Sequence, residues 1–200
     1  MRKLAEKKEK PPFDYTRPLS WSAISSFKWS PEQWYKKYVM GVEQPTSKEM
    51  IFGKTVGERI ASDPEYLPKL PRLPIFEHKL LCTLEDIPLI GFIDSYDQDN
   101  KILYEYKTGR NMWSKKRVDD HGQIDMYLLL LFLQEKIRPE EVTCKLFWLP
   151  THYENKEITF IDENRVIAFP TKRTIVDISN FRTYIIETRA KMIQYYENHS

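Results

Sequence analysis

The 200-residue chain has two cysteines, six glycines, a formal net charge of only +2 and no apolar run of membrane-spanning length. Each scarcity excludes something. Cys82 and Cys144 lie in apolar, strand-like surroundings without CxxC spacing, so they read as buried free thiols, not as a disulfide framework or a metal cluster. The glycines build no phosphate-cradling loop and no nucleophile elbow, which removes ATPase and serine-hydrolase readings. With 31 Lys and Arg against 29 Asp and Glu, no global field draws the chain onto a polyanion. Any nucleic-acid contact must be local. The longest apolar stretch, Tyr127 to Leu133, suits a core helix and falls short of the roughly 18 residues of a bilayer span. The charged start lacks the apolar segment of a signal peptide, so a cytoplasmic protein without membrane contact is expected.

What is present is enough apolar residue, 41%, for one substantial core. Residues 1–18, rich in Lys, Glu and Pro, read as a flexible arm. Residues 19–200 read as a single domain, with a core over about 50–150 and further strands and a helix over 156–198. Ser20 suits the N-cap of a first helix, Ser30-Pro31 the N-cap and first position of a second, and Gly41 its end. Ile51, Phe52, Val56, Ile60 and Ala61 fall near helical period within 47–62, before a proline-rich stretch stops that helix. Three strand-like runs follow at 75–84, 87–97 and 101–107, separated by turn signals, as in an antiparallel meander. Then come a basic loop, a helix over 121–136, a strand over 141–149, a strand or hairpin over 156–170 and a closing amphipathic helix.

The chemistry concentrates in "GFIDSYDQDNKILYEYKTG", residues 91–109. Glu105 and Lys107 are two apart and share a strand face, with Tyr106 opposite. A tight turn at Asp99-Asn100 would pair position 94 with position 105, setting two carboxylates against each other at a cost of some tenths of a kcal/mol, about the reverse of an opposite-charge pair. A divalent cation would turn that cost into affinity. Hard oxygens suit Mg²⁺ or Mn²⁺, the Tyr106 carbonyl offers a further ligand, and Lys107 can hold water or neutralise charge on phosphorus. The bland alternative is a solvated strand face on which Lys107 merely bridges its acidic neighbours.

An Asp on the second strand (Asp94), Glu-x-Lys on the third (Glu105, Lys107) and Gln-x-x-x-Tyr on the next helix (Gln123, Tyr127) resemble the PD-(D/E)XK nuclease superfamily, specifically its RecB-type branch. The likeness spans residues 19 to about 150. It implies an α/β (α+β) restriction-endonuclease-like fold with an αβββαβ core, its central mixed sheet flanked by helices. It also implies Mg²⁺- or Mn²⁺-dependent cleavage of DNA, single-stranded or at duplex ends, with an exonuclease favoured over an endonuclease. On that reading Asp94, Glu105, the Tyr106 carbonyl and Glu58 hold metal, Lys107 serves the attacking water, and Gln123 and Tyr127 align the strand. RecB-type members usually carry His at about Gly57, so Glu58, one residue on, is the available ligand. Relatives with an iron–sulfur cluster use four cysteines, one in a Cys-Pro that corresponds to Ser30-Pro31, so no cluster is expected from a chain with two. Arg110, Lys115, Lys116 and Arg117 could track phosphate while Trp113 stacks on a base. Strand separation would fall to a helicase or recombination protein. Two other readings stay open: a catalytically silent nuclease fold that binds DNA or assembles with a partner, and an RNA-directed nuclease.

Overall fold

The structure is a computed structural model that describes residues 12–155 and 157–199. Serine caps start the N-terminal helices. Ser20 accepts from the Ala23 N–H at the head of α1 (Trp21–Trp29), Ser30 from Gln33 at α2 (Pro31–Trp34), and Ser47 from Met50 at α3 (Lys48–Ser62). α2 runs on as a π-helical turn to Val39, and Gly41 then takes φ +66, a conformation that costs glycine little. The sheet strands are β1 (Ile75–Leu84), β2 (Ile87–Asp97), β3 (Ile102–Gly109), β4 (Thr143–Glu154), β5 (Glu157–Ile161) and β6 (Ile167–Thr171). Between β3 and β4 lie α4 (Lys115–Asp119) and α5 (Gly122–Glu135); α6 (Ile175–His199) closes the chain.

The sheet is mixed. β1, β2 and β3 form an antiparallel meander, β3 runs parallel to β4, and β5 and β6 both pair antiparallel with β4. The crossover that parallel strands demand is supplied by α4 and α5. One face buries α1, α5 and α6: Ile24 and Leu128 to Leu131 pack there on Leu80, Leu89, Ile93 and Leu103. The other carries α3, whose Val56 and Ile60 meet Tyr104, Phe147 and Leu149. No helix among the described residues is long and apolar enough to cross a membrane.

The chain departs from its expected form in three places. The N-terminal arm is pinned to the domain at two points: Phe13 is buried against Trp34 and Tyr196, with the Arg189 guanidinium 4.6 Å from its ring centre, and Arg17 donates to the Tyr38 carbonyl at 2.7 Å. An aromatic with a cation to cover it outweighs the polar composition around it; residues 1–11 lie outside the described residues. The β2–β3 connection is a four-residue turn, not two, because Asp97 accepts from the Asn100 N–H (3.0 Å) and side-chain amide (2.8 Å), and Lys101, not Asn100, takes the left-handed φ of 54. The turn remains symmetric about 99–100, so Asp97↔Ile102, Tyr96↔Leu103 and Ser95↔Tyr104 pair in the expected register. Finally, the basic stretch after β3 contains α4, with Ser114 capping it through the Arg117 N–H.

Candidate active site

β2 and β3 stop pairing after Ser95↔Tyr104. At the next level the Asp94 side chain takes the place of a backbone acceptor and receives the Tyr106 N–H at 2.8 Å. This opens a cleft of about 970 Å³ between α3 and the sheet, near the upper end of the roughly 300–1,000 Å³ typical of ligand pockets. Glu58, Glu77, Asp94, Glu105, Tyr106, Lys107 and Gln123 all line it. Gly53, at 3.0 Å from Thr108 Oγ1 for an added Cβ, lets α3 approach β3.

Glu105 and Lys107 share the α5 face as alternation requires, while Tyr104 and Tyr106 pack on the α3 face. The Glu105 carboxylate is fully buried and ion-paired with Lys107; among the described residues its Oε2 has no hydrogen-bond partner. Burial, followed by the charge of Asp94, pushes its pKa up to about 8, and burial also raises Asp94. Both shifts oppose two negative charges held side by side out of water. Burial works against the Lys107 charge, yet Glu105 and Asp94 outweigh it and hold the ammonium above its ordinary value. Lys107 is a cation here, not a base.

α5 completes this arrangement. Gln123 accepts from Lys107 Nζ at 2.8 Å and donates to the Tyr127 hydroxyl at 2.5 Å, and that hydroxyl faces Glu105. Gly91 on β2 lets the helix seat: a Cβ there would stand 2.7 Å from Leu130 Cδ1 and 3.2 Å from the Tyr127 ring. His121, the N-cap of α5, is wedged against Trp21 and Trp113, and burial, aided by the charges of Lys107, Arg117 and Arg173, drives its pKa down to about 3. Its role is packing, in a neutral state.

Glu58 lines the cleft, but its side chain is 63% exposed and sits 3.7 Å from Lys54, as an ordinary i,i+4 surface pair would. The basic segment lies away from the cleft, and none of Arg110, Trp113, Lys115, Lys116 and Arg117 lines it. Lys115 and Lys116 pair with Asp119 and Asp120, which offsets their charge. Trp113 does not stand free for a base: it is 8% exposed, packed with Val118, Leu146 and Trp148, with the Arg117 guanidinium 3.9 Å from its ring centre. Arg110 lies 5.8 Å from the centre of the Tyr153 ring and lines a separate groove with Asn164 and Arg165.

Sequence reasoning missed Glu77, which lines the cleft opposite Asp94 in a left-handed conformation, φ 49. The signal was there. A hairpin turning at Glu85-Asp86 places 77 across from 94.

The donor set suits a hard divalent cation: oxygens only, with one buried carboxylate oxygen unpartnered and two like charges held together. Among the described residues no three Asp, Glu, His or Cys side chains converge tightly enough to enclose an ion. Among the described residues five carboxylates and two lysines line the cleft, Glu49, Glu58, Glu77, Asp94 and Glu105 against Lys54 and Lys107. A phosphate entering without a cation would meet net repulsion.

The sequence profile of the PD-(D/E)XK nuclease superfamily matches residues 54–198, nearly the whole domain including this hairpin. The chain belongs to that superfamily. Solved structures agree in fold. A candidate exonuclease from Eubacterium rectale superposes with a TM-score of 0.55 at 12% identity, covering 92% of this chain and 82% of its own. A phage-related exonuclease from Haemophilus somnus 129PT superposes with a TM-score of 0.56 at 10% identity, covering 90% and 83%. At such identities the likeness is one of fold. No curated protein matches the chain in sequence. The PD-(D/E)XK assignment makes the chain a member of a nuclease family, and the motif residues Asp94, Glu105 and Lys107 meet in one cleft of its mixed, helix-flanked sheet.

Proposed function

We propose that the protein is a divalent-metal-dependent deoxyribonuclease that uses Mg²⁺ or Mn²⁺ and acts by preference on DNA ends. The observation that carries this reading is the open edge of β2, where a buried Glu105 with an unpartnered oxygen meets Asp94 and Lys107. Asp94, Glu105 and the Tyr106 carbonyl would hold the metal, with Glu58 reaching in from α3. When bound, the metal supplies Lewis-acid polarisation of the phosphate and a more acidic water. The chain's own residues do the remaining work. A bound cation would favour the ionised Glu105 carboxylate, whose pKa burial and the neighbouring Asp94 raise. Lys107 stays protonated, so it orients the attacking water and offsets negative charge gathering on phosphorus. Gln123 fixes the Lys107 ammonium, and Tyr127 fixes Gln123, so α5 sets the angle at which that charge is presented. Arg110, Lys115, Lys116 and Arg117 would meet phosphates farther along the strand.

A second reading, a silent nuclease fold that binds DNA or assembles with a helicase or recombination protein, is favoured by one feature: glycine at 57, with the adjacent Glu58 turned toward Lys54 and solvent. End-labelled linear DNA with Mn²⁺ separates the two. Cleavage that disappears in Lys107→Ala is expected; no cleavage, or cleavage unchanged in that variant, overturns the enzyme reading. Circular single strands and a matched RNA, run alongside, report end dependence and sugar preference.

A further inference from the structure

Trp148 on β4 stands level with Lys107 on β3, in parallel register one strand spacing of about 4.8 Å away. Its indole N–H donates to the Gly109 carbonyl at 3.0 Å, which ties it to the end of β3. Trp148 also lines a groove of about 610 Å³. One wall of this groove is the loop after β3, with Arg110 and Met112; the other is the 3₁₀ turn Glu163–Arg165 between β5 and β6, with Asn164 and Arg165. Arg110 follows Lys107 by three residues, so their backbones are no more than about 11 Å apart. The groove therefore lies beside the cleft.

The two depressions differ in charge. Carboxylates outnumber cations in the cleft, which without metal repels phosphate. In the groove Arg110 and Arg165 come from separate elements, and among the described residues no carboxylate lines it. Neither guanidinium pairs with an acid among those residues: Arg110 lies 5.8 Å from the centre of the Tyr153 ring, and Arg165 is exposed. Lys115 and Lys116, by contrast, are offset by Asp119 and Asp120. A third cation stands at the rim, where the Lys69 ammonium donates to Asn164 Oδ1 at 2.8 Å and the Lys69 N–H holds the Glu163 carboxylate at 2.9 Å. Between the cations the lining is apolar, with an exposed Met112 beside Trp148 and Ile167. Unpaired nucleotides use both surfaces, cations for phosphates and apolar faces for bases, whereas a duplex hides its bases. We infer that this groove is a binding track for unpaired DNA, in which Arg110, Arg165 and Lys69 hold phosphates next to the one being cut and Met112 packs on a base. This rests on the nuclease reading of the cleft and names what lies beside it, the single-stranded end of the substrate.

Metal-free full-length protein titrated against labelled oligothymidylate, read by fluorescence anisotropy, tests the track without turnover. The wild type should bind the single strand better than a blunt duplex. Arg110→Gln/Arg165→Gln should weaken single-strand binding about tenfold or more and lower the slope of log affinity against log salt by about 1.4, since each phosphate contact on a single strand contributes about 0.7. Both arginines are exposed, so the variant should fold as the wild type does. Lys28→Gln/Lys191→Gln removes the same charge from exposed positions on α1 and α6 and should bind like the wild type. The inference is overturned by no binding in the wild type, by unchanged binding in the arginine variant, or by equal weakening in the lysine control. Displacement of the strand by poly-glutamate as readily as by unlabelled oligothymidylate overturns it too. Cleavage of end-labelled DNA in Mn²⁺ separates it from the reading beneath. A wild type that cuts while the arginine variant binds normally sinks the track alone, whereas a wild type that binds through the arginines and never cuts sinks the nuclease reading and leaves the track.

Discussion

β2 has two different edges. Against β1 it is paired from Ile75↔Tyr96 to Leu84↔Ile87, broken only where Glu77 faces Asp94; against β3 the ladder ends after three positions. The paired edge gives the strand a fixed position, and the open edge spends that rigidity on chemistry. Asp94 can replace a backbone acceptor for Tyr106 because the strand bearing it is anchored on its far side. The face beneath is equally closed, with Gly91 in contact range of Tyr127 and Leu130. A site made of buried like charges is held in shape by the neighbouring part of the same strand.

Breaking the open edge should have the largest effect. Asp94→Asn and Lys107→Ala should each lower cleavage of end-labelled DNA by about 10²–10³-fold or more, the usual loss when a group that stabilises developing charge is removed. Both should remain folded by circular dichroism. Breaking the closed side should cost stability first: Gly91→Val forces side-chain atoms into Leu130 and Tyr127, and overpacking of this kind costs about 1–3 kcal/mol, read from the denaturant midpoint. Activity should fall with it, because Tyr127 is displaced.

Glu105→Gln sharpens the contrast, since it should gain stability while losing activity. The Glu105 carboxyl has a pKa raised by burial and Asp94 to about 8 in the folded protein, against 4.5 as its ordinary value. Between those values the folded state keeps a proton that the unfolded chain has released, so metal-free wild type loses stability as pH rises from about 4.5 through about 8. Glutamine removes that loss. One pH unit of separation is worth about 1.4 kcal/mol, so melting at pH 8 should favour the variant by a gain on the order of 1 kcal/mol. The difference should vanish at pH 4. The smallest effect is expected at Gly57→His, where an added Cβ meets nothing within 4 Å. Stability should shift by about 0.5–1 kcal/mol at most, upward as glycine leaves a helix interior, with Mn²⁺ affinity raised a few-fold.

Much of this was legible beforehand. Ser20 and Ser30 cap where local chemistry puts them, and β1 and β2 span the runs that alternation and turn residues marked. Strand alternation and turn register set Asp94, Glu105 and Lys107 together, and the resemblance to the PD-(D/E)XK nucleases added Gln123 and Tyr127. What escaped depends on distant partners. Phe13 is ordered by Trp34, Tyr196 and Arg189, far away in the chain. Trp113 reads as a loop aromatic until Val118, Leu146 and Trp148 are seen around it. The turn at Glu85-Asp86 marks Glu77 as facing Asp94, but the left-handed kink there leaves no mark in composition.

The most direct test of the open-edge account is anomalous scattering from a crystal of the full chain grown or soaked in Mn²⁺. The account predicts a peak contacting both Asp94 and Glu105, with the Tyr106 carbonyl beside it and the Glu105–Lys107 ion pair loosened. Manganese bound only at surface carboxylates, with Glu105 still closed on Lys107 at saturating metal, would contradict it.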